Sequence, residues 1–194
     1  MNRNFDRKII LEDGTEFYGY GFGAKKDAMV ELVFNTSMVG YQEILSDPSY
    51  TGQAIVMTYP LIGNYGMCEA DYESLRPTAS AMIVREYNDE PSNFRSAMTL
   101  GEVMEKNGII GIAGVDTRKL TKYIRDKGTC KVLITDASTS NLAALALLQS
   151  LNLPNDQVSR VSTKEPYVFP AENAKYRIAA IDCGMKQNIV RRLN

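Results

Sequence analysis

Histidine is missing from all 194 residues. That absence removes the usual base of a Ser-His or Cys-His mechanism and the commonest transition-metal ligand, so the chain by itself is not a complete triad hydrolase. Cysteine is scarce: Cys68, Cys130 and Cys183 are odd in number, far apart and in no CxxC pair. Neither a disulfide framework nor a zinc site is indicated, and the three read as reduced, structural thiols. No metal site is expected. Net charge is almost absent too, with 22 basic residues against 23 acidic ones. The basic excess of a protein that grips nucleic acid or an anionic membrane is lacking. No apolar run reaches bilayer length, and MNRNFDRKII has neither the apolar core nor the cleavage site of a secretory signal. These absences predict a cytoplasmic protein whose partners are small molecules and proteins, not nucleic acid or membrane.

What is present is an ordinary globular composition, 44% hydrophobic and 23% charged, in a chain long enough for one good core and part of a second. RKIILEDGTEFYGYGFG reads as two β-rich runs around Asp13-Gly14 and predicts a two-residue type I′ hairpin. MVELVFNT and QAIVMTYP carry strand composition, and GYQEILSDP between them spaces Tyr41, Ile44 and Leu45 as a short helix. SAMIVREY predicts another strand. Thr99 with Glu102 three residues on predicts a capped helix start, and Asn107-Gly108 its end. Strand IIGIAGV follows, then a helix over DTRKLTKYIRDKGT with Asp116 as N-cap and Gly128 as stop, then strand KVLIT and helix NLAALALLQSLN.

These elements predict one mixed, layered α/β domain over residues 1–153. Residues 154–175, PNDQVSRVSTKEPYVFPAENAK, hold three prolines and little periodicity, as a linker or draped connection would. YRIAAIDCG then predicts a strand entering a helix over MKQNIVRRLN. One strand and one helix cannot bury their faces alone. The expectation is that residues 176–194 begin a second, truncated α/β domain and that the chain is a fragment.

Several stretches invite a functional reading. GYGFG lacks GxGxxG spacing and a Walker lysine, and reads as Gly and aromatic residues alternating in a strand. Asp116-Thr117-Arg118-Lys119 reads as an N-cap with solvated charges unless a partner protein lies there. Cys183 sits between a strand and a helix, where a nucleophile can stand, but has no base in this chain. SDPSY is harder to dismiss. Pro48 fixes its own φ and biases Asp47 away from helical geometry, so the helix stops and Ser49 and Tyr50 are presented on a rigid loop. Residue chemistry leaves two readings open there: a self-bonded Asp/Ser turn, or a hydroxyl held out for a ligand.

In order along the chain, FNTSMVGYQEILSDPSYTGQ, MTYPLIGNYG, AGVDTRKLTKYIRDKGT and IAAIDCGMKQNIVRRL resemble the small subunit of glutamine-dependent carbamoyl-phosphate synthase. The resemblance implies a three-layer β/β/α domain of the swivelling type with mixed strands, followed by a class I glutamine amidotransferase domain. That second domain's Cys-His-Glu triad would lie beyond Asn194, leaving no catalytic residue in this chain, and Cys183 would not be its nucleophile. The family's small subunit hydrolyses glutamine and passes ammonia to a large subunit. The large subunit uses ATP, Mg and bicarbonate to make carbamoyl phosphate for arginine and pyrimidine biosynthesis. No cofactor is implied in the chain itself.

By the same resemblance Ser49, the serine of DPSY, reaches across the domain boundary to the substrate glutamine. Asp47 and Lys186 are a further expectation: opposite charges facing each other across that junction, holding it closed and lining a polar route for ammonia. The competing expectation is a non-catalytic interaction module whose AGVDTRKL surface docks a large partner and whose Ser49 loop is only a turn.

Overall fold

A computed structural model describes residues 4–194. Strand β1 (Arg7–Leu11) turns back as β2 (Glu16–Gly23), and β3 (Ala28–Asn35) leads through helix α1 (Tyr41–Ser46) to β4 (Gln53–Met57). The short β5 (Leu61–Ile62), β6 (Ala81–Ile83), β7 (Glu86–Tyr87), helix α2 (Leu100–Lys106) and β8 (Ile110–Ala113) follow. Helix α3 (Thr117–Lys127), β9 (Cys130–Asp136), α4 (Asn141–Ser150), α5 (Gln157–Val161) and α6 (Gln187–Leu193) complete the order.

Seven strands close into a barrel in the order β1-β2-β8-β6-β4-β3-β9, while β5 and β7 pair separately. Three of the seven strand pairings in the wall are parallel and four antiparallel. β3, β4, β6 and β8 run parallel through crossovers, and β1, β2 and β9 supply the antiparallel remainder. Closure is made by β9 pairing with β1, Ile9 opposite Ile134. A barrel leaves no open edge.

Alternation decides which side chains fill it. Ile9, Leu11, Leu32, Val56, Ile83 and Ile112 belong to one buried cluster inside the wall, and α3 adds Leu120 and Ile124 to it. Each such aliphatic contributes about 1.5–3 kcal/mol by leaving water. The alternate residues Ile55, Met57 and Met82 face outward, where α1 and α2 cover them with Ile44, Leu45, Leu100 and Met104. Ile10 and Leu133 are covered by Ala144 and Leu148 of α4. The sheet closes on itself, with α1, α2 and α4 against its outer wall and α3 packed on the interior cluster.

Most local expectations match the observed elements, and two do not. The Asp13-Gly14 hairpin is not type I′: only Gly14 takes positive φ (84°), and Asn173 is the one non-glycine residue with positive φ among those described. The Leu11 carbonyl accepts from Gly14 N at 2.9 Å and Leu11 N donates to the Thr15 carbonyl at 3.0 Å. This is a three-residue loop ending in a left-handed glycine, stabilised by Thr15 N donating to Asp13 Oδ1 at 3.0 Å. The strand expected over residues 176–184 does not form. No neighbouring strand lies beside it among the described residues, so its backbone has no ladder to join, and Ile178 and Ile181 are exposed. Residues 154–194 form an irregular strap carrying α5 and α6, held against the Asp47–Pro48 corner and residues 70–73.

Candidate functional site

The SDPSY corner is built by capping. After α1 ends, Asp47 takes an extended conformation (φ −69°, ψ 118°), and Pro48–Tyr50 forms one 3₁₀ turn with proline at its first position. Asp47 Oδ1 accepts from Ser49 N at 2.9 Å. The Asp47 carbonyl accepts from Tyr50 N at 3.1 Å and from the Thr78 hydroxyl at 3.3 Å. Tyr50 is held in turn by Asn35 Nδ2 at 3.0 Å. Pro48 is buried and Ser49 exposed, so the corner is rigid behind and open in front. The Ser49 hydroxyl has no hydrogen-bond partner among the described residues.

The strap returns to this corner. Lys186 Nζ lies 2.6 Å from Asp47 Oδ2, with the carboxylate side chain 11% and the ammonium side chain 44% exposed. The hydrogen bond that Lys186 donates to Asp47 raises the lysine's pKa above its ordinary value against a smaller opposing effect of burial; Glu73 and Tyr50 add to the rise. Sequence reasoning named both members of this pair. It missed Glu73, a buried carboxylate whose carbonyl accepts from Gln187 N at 2.8 Å and whose Oε2 accepts from Asn188 N at 3.2 Å. Glu73 sits in YESLRP, which has no motif or periodicity, and its partners are 115 residues away. No local signal exists to find it.

On the other side of Lys186 a second carboxylate shapes the strap. Asp182 Oδ1 accepts from Gly184 N at 2.8 Å and Met185 N at 2.7 Å, and Tyr167 donates to Oδ2 at 2.5 Å. Burial works against ionisation of Asp182, yet these bonds together hold its carboxyl below the usual range. Beside the corner, a cavity of about 600 Å³ opens between residues 74–78 and the strap, lined by Pro48, Val161, Tyr167, Phe169, Met185 and Val190 among others. Charged residues, among them Arg76, Arg160, Lys164 and Asp182, share that lining with the apolar ones.

The remaining candidates add no hydrogen bond or ion pair to this corner among the described residues. Asp116 caps α3, its Oδ1 accepting from Lys119 N at 3.0 Å, so the Asp116–Lys119 stretch is accounted for as a helix start. Gly19 and Gly21 of GYGFG lie in β2, where a Cβ on Gly19 would stand 2.5 Å from the Ala113 carbonyl oxygen; close packing explains that glycine. Cys183 is exposed and Cys130 half-buried, with burial pushing the Cys130 thiol up to about 11. Among the described residues no group of three His, Cys, Asp or Glu side chains is placed to hold a metal ion, and no helix is long and apolar enough to cross a membrane.

The family model described as carbamoyl-phosphate synthase small chain, CPSase domain, matches residues 9–134, which takes in every strand of the barrel in whole or part. The chain belongs to that family. Among carbamoyl-phosphate synthase small chains, that of Bacillus caldolyticus is 50% identical over 188 residues, 97% of this chain and 51% of the relative. That of Fusobacterium nucleatum is 48% identical over 189 residues, 97% of this chain and 52% of the relative. A carbamoyl phosphate synthase pyrimidine-specific small chain from Halalkalibacterium halodurans is 46% identical over 187 residues, 96% of this chain and 51% of the relative. The chain thus spans about half the length of the curated relatives it matches. An aminopeptidase from Aneurinibacillus sp. strain AM-1 overlaps 69% of this chain and 30% of its own at 18% identity and a TM-score of 0.36, a likeness too slight to carry an argument.

Proposed function

We propose that this chain is the barrel part of a glutamine-hydrolysing carbamoyl-phosphate synthase small subunit, and that its contribution to the reaction is to position glutamine rather than to cleave it. With no histidine in the chain, the nucleophile and base come from an amidotransferase half. The large subunit takes the released ammonia and, with ATP, Mg and bicarbonate, makes carbamoyl phosphate for arginine and pyrimidine biosynthesis. Large and small subunits pair as a heterodimer.

The observation that carries the reading is the SDPSY corner: an exposed Ser49 hydroxyl on a turn held from behind by Asp47, Pro48 and Tyr50. A neutral hydroxyl can donate to or accept from glutamine's polar ends. Holding it on a pre-formed turn avoids the entropy of ordering a loop on binding. One such bond contributes about 1 kcal/mol.

The Asp47–Lys186 pair supports a second part of the same reading. Two charged groups 2.6 Å apart at the seam between barrel and strap keep that seam closed and offer alternating donors and acceptors to a small polar molecule such as ammonia. Reconstitution tests the proposal. The subunit carrying this chain and an amidotransferase half, mixed with the large subunit, should make carbamoyl phosphate from glutamine. Tight assembly without glutamine-dependent synthesis would leave only a docking module.

A further inference from the structure

Asp47 and Lys186 are flanked by a second set of contacts that runs parallel to their ion pair. Ser46, the residue before Asp47, donates its hydroxyl to the Gln42 carbonyl at 2.8 Å, and Ser46 Oγ accepts from Glu73 N at 2.9 Å. Ser74 Oγ donates to the Ser46 carbonyl at 2.7 Å. Glu73 then takes hold of the two residues that follow Lys186. Its carbonyl accepts from Gln187 N at 2.8 Å, its Oε2 from Asn188 N at 3.2 Å and its Oε1 from Asn188 Nδ2 at 2.5 Å. The path Ser46–Glu73–Gln187/Asn188 therefore joins the immediate neighbours of Asp47 to the immediate neighbours of Lys186.

We infer that Glu73 is a positioning residue whose buried carboxylate fixes the backbone around residues 187 and 188, and thereby sets the Lys186 ammonium opposite Asp47. The ammonia-route part of this inference rests on the function proposed above; the positioning does not. A lysine carries four rotatable side-chain bonds, and an ion pair this exposed on the lysine side loses most of its attraction to side-chain entropy and solvent unless the backbone beneath it is held. Glu73 supplies that hold from the barrel side, and Asp182, accepting from Gly184 N and Met185 N, supplies it from the strap side. Glu73 is only 8% exposed. Its carboxylate accepts from donors of the strap and, among the described residues, forms no ion pair, which is the arrangement of a group kept for directional bonding.

Three groups bear on the Lys186 charge: Asp47, Glu73 and Tyr50. A test must therefore separate Glu73 acting through position from Glu73 acting through its own charge. In the 194-residue chain, the interaction between Asp47 and Lys186 is measured by a double-mutant cycle of Asp47→Asn and Lys186→Met in urea unfolding. The cycle is repeated in Glu73→Ala and Glu73→Gln backgrounds. Glu73→Gln removes the charge but keeps an oxygen for Asn188; Glu73→Ala removes both. Positioning predicts that the Asp47–Lys186 interaction persists with Gln and is lost with Ala. An interaction unchanged in the Ala background overturns the inference, and so does one lost equally in both, which would make Glu73 a plain electrostatic neighbour. Should Glu73→Ala fail to fold, Asn188→Ala loosens the same grip without changing any charge, and an unchanged Asp47–Lys186 interaction there overturns the inference as well.

A second measurement addresses the route. In the reconstituted synthase, the ratio of carbamoyl phosphate made to glutamine hydrolysed should fall in Glu73→Ala and recover in Glu73→Gln, while synthesis from added ammonia stays intact. If Asp47→Asn leaves that ratio unchanged, the ammonia-route reading of the pair fails on its own. The mutant cycle still decides the positioning role.

Discussion

The Lys186 ammonium meets the Asp47 carboxylate at 2.6 Å, so the strap of residues 154–194 is tied to the corner that presents Ser49. Because Asp47 raises the Lys186 pKa, the pair's contribution to stability has a defined pH window. It is fully present below the unfolded lysine value of about 10.4 and is lost as pH rises through the raised folded value. The Lys186→Met variant should be less stable than the parent at pH 7 by at most about 1 kcal/mol, given how exposed the ammonium is. Urea unfolding from pH 7 to beyond 11 should show that gap closing. A gap that stays constant, or widens with pH, would mean that the pair does not act as an ion pair.

Helix α2 begins with a complete capping box: Thr99 Oγ1 accepts from Glu102 N at 3.2 Å and Glu102 Oε2 from Thr99 N at 2.8 Å. Thr99→Ala leaves one helix donor without a partner and should cost about 1 kcal/mol. For a chain of this size that lowers the melting temperature by about 2–4 °C, readable in a thermal scan.

The barrel is sensitive in two opposite ways. Leu120→Ala empties a fully buried position where α3 meets the interior and should cost about 2–5 kcal/mol. Gly111→Ala overfills: its Cβ would stand 2.6 Å from the Phe22 ring, which is itself stacked on Tyr87 at 4.1 Å. The cost should be about 1–3 kcal/mol. Chemical denaturation compares the two directly.

Exposure sets Cys183 ahead of Cys130. Cys183 is exposed, whereas the Cys130 thiol is pushed up to about 11 by burial and nearby carboxylates. Iodoacetamide at pH 8 should label Cys183 faster than Cys130, as mass spectrometry of the peptides will show. A glutamine-analogue electrophile should show no preference for Cys183, since no base activates it.

Features whose cause is local were legible in the sequence. The box at Thr99 and Glu102, the Asp116 cap and Gly128 stop of α3, and the Pro48 break after α1 each follow from residues within a few positions of one another. Barrel closure was not legible. It depends on β9 meeting β1, Ile134 beside Ile9, a pairing that alternation permits but does not select. Asp-Gly predicts a two-residue turn because both residues tolerate positive φ, yet only Gly14 adopts it. Residues 176–184 have strand composition, but a strand also needs a neighbour. At the corner, the turn that presents Ser49 was legible from proline chemistry, its choice as a ligand contact came from the family resemblance, and Glu73 became visible only once the fold brought YESLRP against the start of α6.

The most direct test of the central claim is the glutamine KM of Ser49→Ala in the subunit joined to its amidotransferase half and assembled with the large subunit. Loss of one positioning bond worth about 1 kcal/mol should raise that KM about 5-fold. The rate of carbamoyl phosphate synthesis from added ammonia should be unchanged, because the proposed role of the hydroxyl is to hold glutamine and not to serve the later chemistry. Unchanged glutamine kinetics, or an equal loss with ammonia as the nitrogen source, would contradict the account.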